Sequence, residues 1–122
     1  MATPVFKILM FLKRRPGMTL QAFRDYYENV HSKLGEKYAA GGVCRYVRRY
    51  VEPLPGSLPG EGNELEFDVI TETWFEDRSV FEKVAAFLSS GELPADVLAD
   101  EERLFDRSKS RFMTVSECES HL

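Results

Sequence analysis

Val43–Phe75, VCRYVRRYVEPLPGSLPGEGNELEFDVITETWF, is the stretch on which the fold turns. Its first part, Val43–Val51, is rich in β-branched and aromatic residues and alternates Tyr46, Arg48 and Tyr50 with Arg45, Val47, Arg49 and Val51. Such a period of two marks a strand, here near a sheet edge. From Pro53 to Asn63, seven of eleven residues are Pro, Gly or Asn, the composition of a long loop between strands, placed to serve as a flap over a site. Glu66–Phe75 alternates again, with Phe67, Val69, Thr71, Thr73 and Phe75 on one face and Asp68, Ile70, Glu72 and Trp74 on the other. This second strand is apolar on both faces and carries two carboxylates and an indole on one of them.

Outward from this pair, the chain supplies a strand and a helix on each side. Val5–Arg14 is short, apolar and bounded by Pro4 and by Pro16-Gly17, which fits a buried strand better than a helix. Thr19 caps the helix that follows, with Met18 and Phe23 placed as a hydrophobic staple. Leu20, Phe23, Tyr27, His31, Leu34 and Tyr38 recur at spacings of three or four as one stripe along it, and Gly41-Gly42 ends it. On the other side, Ser79 and Glu82 read as a capping box for a helix whose stripe is Val80, Phe81, Val84, Phe87 and Leu88. Gly91 and Pro94 break that helix, and a further one runs from about Ala95 to Phe105 with Val97, Leu98, Glu101, Leu104 and Phe105 turned inward. Arg111–Val115 is the last strand. The order β-α-β-β-α-β implies an α+β domain, a four-stranded antiparallel sheet with helices on one face. The other face then needs a partner, and dimerisation through the sheet is expected because a monomer would expose too large an apolar patch.

Composition narrows the function classes. The 122 residues suit one domain, and 43% apolar with 30% charged residues describe a chain that buries a core in water. A net charge of -4 argues against a polyanion-binding field, so nucleic acid is not an expected partner. Although RYVRRY mixes bases and aromatics, the strand EFDVITETWF carries acids where an RNA-recognition module needs its basic and aromatic motif. The apolar run Ile8–Leu12 is too short for a signal peptide, and no stretch approaches the ~18 apolar residues of a membrane span, so a cytoplasmic address without membrane contact is expected. Cys44 and Cys118 match neither a disulfide framework nor zinc-ligand spacing and read as free thiols. With two distant histidines no metal site is expected, and GSLPGEG fits no phosphate-loop pattern.

His31 is the foremost candidate for chemistry: an imidazole titrates near neutrality, and this one lies on the inner stripe of the first helix, facing the side of the sheet where a pocket forms. The alternative is a core histidine bonded to a carbonyl or carboxylate. Asp68 and Glu72 share a strand face about 13 Å apart, too far to hold one reacting group together. Either one of them orients His31, if their face lies under the helices, or they meet Arg45, Arg48 or Arg49 across the strands in ion pairs without chemistry. Tyr27, Tyr46, Trp74 and Phe105 offer flat walls to an aromatic ligand, Arg48 offers a bidentate contact to a carboxylate or phenolate, and Tyr26 points about 100° away from Tyr27. His121 is a tail residue.

Three segments carry a resemblance: FLKRRPGMTLQAFRDYYENVHSKLG (Phe11–Gly35), FDVITETWFED (Phe67–Asp77) with its Asp68-x-x-x-Glu72-x-Trp74 pattern, and LFDRSKSRFMTV (Leu104–Val115). Over about residues 5–117 the chain resembles the EthD family of dimeric α+β barrel proteins. The resemblance implies a ferredoxin-like βαββαβ domain spanning residues 1–122, pairing as a homodimer, with a ligand cavity between the sheet and the helices. Relatives include proteins linked to ether degradation and polyketide-tailoring decarboxylases, and related barrels act as cyclases and cofactor-free oxygenases or bind haem, which His31 would ligate here. Val69 stands where many relatives have glycine, and the Pro/Gly loop is long, so pocket shape does not carry over. The expectation is a cofactor-free, lyase-type enzyme moving protons in decarboxylation, dehydration or aldol-type reactions of an aromatic or polyketide-like substrate. His31 would be the acid/base, Glu72 or Asp68 would orient it, Arg48 or Tyr46 would hold an oxyanion or carboxylate, and Trp74 with Tyr27 would stack on the ring. The other reading is a non-catalytic carrier or accessory protein using the same cavity.

Overall fold

In the computed structural model, which describes residues 5–57 and 64–122, four strands form one antiparallel sheet. They are β1 (Phe6–Leu12), β2 (Arg45–Tyr50), β3 (Val69–Phe75) and β4 (Arg111–Thr114), in the order β2-β3-β1-β4. The β-α-β-β-α-β order and the α+β class are as the sequence implies. β3 pairs through its whole length with β1, Phe6 opposite Phe75 and Leu12 opposite Val69, and Tyr46 of β2 lies opposite Thr73. Of the Pro53–Asn63 loop expected as a flap, residues 58–63 lie outside the described residues. Cys44 and Cys118 are both exposed and free.

The first helical segment begins where the sequence says, since Thr19 Oγ1 accepts from Ala22 N–H at 3.1 Å. It is not one uniform helix. α1 (Leu20–Tyr26) passes into a π-helical turn (Tyr27–His31) and then α2 (Ser32–Ala39). Ser32 explains how the extra residue is accommodated: its N–H reaches back to the Tyr27 carbonyl, and its hydroxyl donates at 2.7 Å to the Glu28 carbonyl that an α-helical N–H would have taken. Gly41, at φ 94°, provides the left-handed residue just beyond the end of α2. The expected stripe is buried in its middle and open at its ends: Phe23 and Tyr27 are 1% exposed, Leu20 and Tyr38 59% and 48%. Leu20 lies in the first turn, and Tyr38 sits at the rim of the cavity described below, its hydroxyl 2.8 Å from Asp96.

α3 (Arg78–Ser90) is capped by Asp77, whose carboxylate accepts from Ser79 and Val80 N–H. Ser79 and Glu82 are therefore not its capping box; Ser79 is inside the helix and Glu82 pairs with Arg78. α4 (Ala95–Leu104) follows the break at Gly91 and Pro94. Leu12, Phe23, Tyr27, Val69, Leu104 and Phe105 form the core between helices and sheet, where each fully buried large side chain contributes about 1.5–3 kcal/mol. The strand register puts Leu9, Phe11, Val47, Ile70 and Met113 on the face that no helix covers.

Candidate functional site

A cavity of about 280 Å³ lies between the helices and the β1–β3 region of the sheet. The π turn brings His31 to its wall, between Tyr27 and Phe105, whose rings each stand edge-on to the imidazole with centroids 5.1 Å away. Behind it, His31 Nδ1 is 2.8 Å from Asp100 Oδ2 on α4, and Tyr26 donates its hydroxyl to the other oxygen, Asp100 Oδ1. A carboxylate accepts from Nδ1–H and so fixes the tautomer in which Nε2 carries the lone pair. Among the described residues nothing bonds to Nε2. Burial pushes the imidazole below its ordinary value, against Asp100, which works to raise it. A neutral, oriented imidazole at a cavity wall is equipped to accept a proton.

Other polar groups line the same space. The side chain of Glu101, a residue 8% exposed, makes no hydrogen bond among the described residues and faces Arg107 Nε at 3.9 Å. Burial raises its carboxyl above the ordinary value, Asp100 adds to this, and Arg107 opposes it. Thr73 Oγ1 is buried without a hydrogen-bond partner among the described residues, a condition native interiors rarely leave unfilled. Tyr27 reaches Thr71 Oγ1 at 2.6 Å, and Tyr46 packs over Gly35 so closely that a Cβ there would stand 2.6 Å from its hydroxyl. Burial raises both of these phenols.

His31, Tyr27, Tyr46 and Phe105 thus converge as expected from their positions, whereas the remaining candidates do not. Asp68 does not orient His31. It is locked at the β1–β3 end, accepting from Arg14 N–H at 2.8 Å and Arg14 Nη1 at 2.7 Å, with Lys13 Nζ at 3.4 Å. Glu72 does not either, because it projects from the face without helices, accepting from Arg49 Nε and, at 3.1 Å, from Trp74 Nε1. Burial works to raise the Glu72 carboxyl, but Arg49, Trp74 and Lys7 outweigh it and hold it low. Trp74 shares that face, its ring between Lys7 Nζ at 4.0 Å and the Arg45 guanidinium at 4.6 Å, and so is no wall of the cavity. Arg48 is on the helix face, but its fork is filled by Glu28 at 2.9 and 2.7 Å, with Tyr50 donating to the same carboxylate at 2.5 Å.

Asp100, Glu101, Thr73 and Tyr26 were not among the site residues expected. Asp100 had a signal: it stands three residues after Val97 and four before Leu104, so an acid falls on the apolar stripe of α4. Glu101 had the weaker one of an inward position. No local pattern separates Thr73 from its neighbours on β3.

Haem does not fit this space. A cavity of about 280 Å³ is near the lower bound for drug-sized ligands, and among the described residues no Lys or Arg lines it to meet propionates. Among the described residues no group of three or more His, Cys, Asp or Glu side chains is placed to hold a metal ion, and no helix is long and apolar enough to cross a membrane.

The EthD domain family model matches residues 15–108. Among solved structures, an EthD family protein of Bacillus halodurans aligns with a TM-score of 0.59 at 20% identity, over 93% of this chain and 99% of its own. A hypothetical protein of Arabidopsis thaliana aligns with a TM-score of 0.59 at 11% identity, over 99% and 95%. A protein described as dimeric and ferredoxin-like, from an uncultured marine organism, aligns with a TM-score of 0.52 at 18% identity, over 92% of each chain. At these identities the likeness is one of fold. No curated protein matches the chain.

Proposed function

Since the chain belongs to the EthD family, we propose that it is a homodimeric small-molecule enzyme of the lyase type, moving protons on an aromatic or polyketide-like substrate with His31 as general base. The observation that carries this reading is the imidazole at the cavity wall, its Nδ1 held by Asp100 and its Nε2 unpartnered among the described residues. That is the arrangement a general base needs: one nitrogen tied so that the other is fixed in direction and free. Nε2 takes a proton from a carbon beside a carbonyl, the C–H electron pair moves into the carbonyl, and the oxygen that becomes negative is met by a donor on the wall. Tyr46 is the candidate for that donor. The step requires no group other than side chains, and it begins dehydration and aldol-type closure; in aldol-type cleavage Nε2 takes the β-hydroxyl proton instead, the C–C bond breaks and its electron pair becomes the enolate, and decarboxylation likewise uses the wall donor to hold the electron pair released from carbon. Tyr27 and Phe105 form the apolar walls against the ring.

Dimerisation rests on the other face. Leu9, Phe11, Val47 and Ile70 form an apolar strip on a sheet with no helix over it, and solved relatives of the same fold are described as dimeric. A second copy is the partner that such a strip fits, apolar in the middle and charged at its rim.

The test is His31→Ala assayed on a panel of β-hydroxy ketone and poly-β-ketone aromatics. Turnover should fall by about 10² to 10⁴, the weight of one positioned proton-transfer group, with dichroism and sizing unchanged. Turnover within threefold of the parent would defeat the mechanism. Binding of these compounds without turnover, altered in affinity by the substitution, would make the protein a carrier.

A further inference from the structure

The cavity holds polar groups but no net charge of its own to offer a ligand. Its ionisable lining groups, apart from tyrosines, are His31 and Glu101, and among the described residues it has no Lys or Arg. His31 is turned to Asp100 behind the wall, which leaves a neutral lone pair toward the space. Glu101 faces Arg107 from the opposite side; the Arg107 side chain is 48% exposed, so that cation stands outside in water and answers the glutamate, not the ligand. Thr73, a lining residue, adds a hydroxyl that is uncharged, buried and unpartnered among the described residues. The rest of the lining is aliphatic and aromatic, including Met10, Leu34, Val84 and Leu88.

From this arrangement we infer that the site selects uncharged ring ketones over ring carboxylates and ammonium compounds, and that Glu101 is the residue that enforces the choice by holding Arg107 neutralised outside the cavity. A bound carboxylate would be stripped of water with no cation to receive it, beside a second carboxyl group. An ammonium group would meet a carboxyl already answered by Arg107. A ketone carries no charge to be stripped of water and asks only for one hydrogen bond. The upward displacement of the Glu101 carboxyl by burial and Asp100 points the same way, since it shows a site that resists further negative charge. The inference rests on the reading of the cavity as a substrate site and narrows it: the substrate enters as a neutral carbonyl compound, which favours dehydration or aldol-type chemistry over decarboxylation of a bound carboxylate.

The experiment uses near-isosteric probes on the full chain at pH 7.5: 2-acetylnaphthalene, 2-naphthoate and 2-naphthylmethylammonium, with affinities from calorimetry. The ketone should bind at least about tenfold more tightly than either ion, the least that an unpaired desolvated charge costs. Glu101→Gln, which leaves Arg107 unanswered, should bring naphthoate to within about threefold of the ketone; Arg107→Gln, on a half-exposed side chain, should widen the gap and serves if the first variant does not fold. Naphthoate or the amine binding within threefold of the ketone to the parent protein overturns the selection while leaving the cavity a ligand site. A ratio that neither substitution moves removes Glu101 from the role. Failure of all three probes to bind overturns this inference together with the function proposed above.

Discussion

The two faces of one sheet treat their polar groups in opposite ways. On the uncovered face, Glu72 accepts from Arg49 and Trp74, Trp74 lies between Lys7 and Arg45, and Lys7 pairs with Glu117 at 2.9 Å, so every one of these groups has a partner. On the helix-covered face, His31, Thr73 and Glu101 line a cavity, and His31 Nε2, Thr73 Oγ1 and the Glu101 carboxyl group have no hydrogen bond among the described residues. Both faces are rich in aromatics and acids, and composition alone does not distinguish them. What separates them is saturation: the polar groups of the uncovered face are hydrogen-bonded or stacked, whereas those of the covered face are buried without hydrogen bonds.

The strongest way to break this comparison is at the uncovered face. Ile70→Asp puts a charge in the middle of the apolar strip, and the dimer, about 28 kDa or twice the 14.0 kDa chain, should fall to the single-chain mass in light scattering with the cavity intact. A parent protein that already scatters as one chain would mean that the strip has another partner or none.

Next in size is the contrast between two carboxylates. Asp100→Asn should lower turnover by at least about tenfold, since an amide no longer fixes the imidazole tautomer, whereas Glu72→Gln should change it less than about threefold. Asp100 is the group that raises the His31 pKa, so its removal should move the acid limb of the pH–rate profile to lower pH. A limb that moves upward, or a larger loss from Glu72→Gln, reverses the assignment of the two faces.

A smaller effect concerns the cluster in which Glu28, and not a ligand, fills the Arg48 fork. Arg48 holds Glu28 at about 2 against an ordinary 4.5, with burial opposing and Tyr50 and Arg24 assisting. Because the folded value is depressed, the stabilisation is complete above about 4.5 and is lost as pH falls towards 2. The Glu28 side chain is 37% exposed, so after screening the expected contribution is about 1 kcal/mol. Glu28→Gln should flatten the fall of thermal stability over that pH window; an unchanged slope would assign the acid sensitivity elsewhere.

The smallest signal is an expected silence. Trp74 is the single tryptophan, and it lies on the uncovered face, so its emission should shift with dimer dissociation in Ile70→Asp and stay unchanged when a ring compound fills the cavity. A ligand-dependent shift in the intact dimer would place the bound compound on the wrong face.

Period and punctuation in the sequence determined most of the architecture, because they are local. Alternation in RYVRRY and VITETWF, the Thr19 cap and the breaks at Gly41 and Gly91 specify strands and helix ends through backbone sterics and hydrogen bonds within a few residues. The same locality put His31, Tyr27 and Phe105 on inward stripes, and the segments that resemble the EthD family carried the domain type. Partners were another matter. Asp68 and Glu72 share a face with Trp74 by alternation, yet Asp68 precedes β3 and is drawn into the Arg14 pair, while register alone gives Glu72 to Arg49. Asp100 lies 69 residues from His31, and only the packing of α4 against the π turn brings them to 2.8 Å. A strand or helix pattern states which side a residue faces; which of several acids meets a given base depends on how elements far apart in the chain pack, and tertiary structure alone decided that.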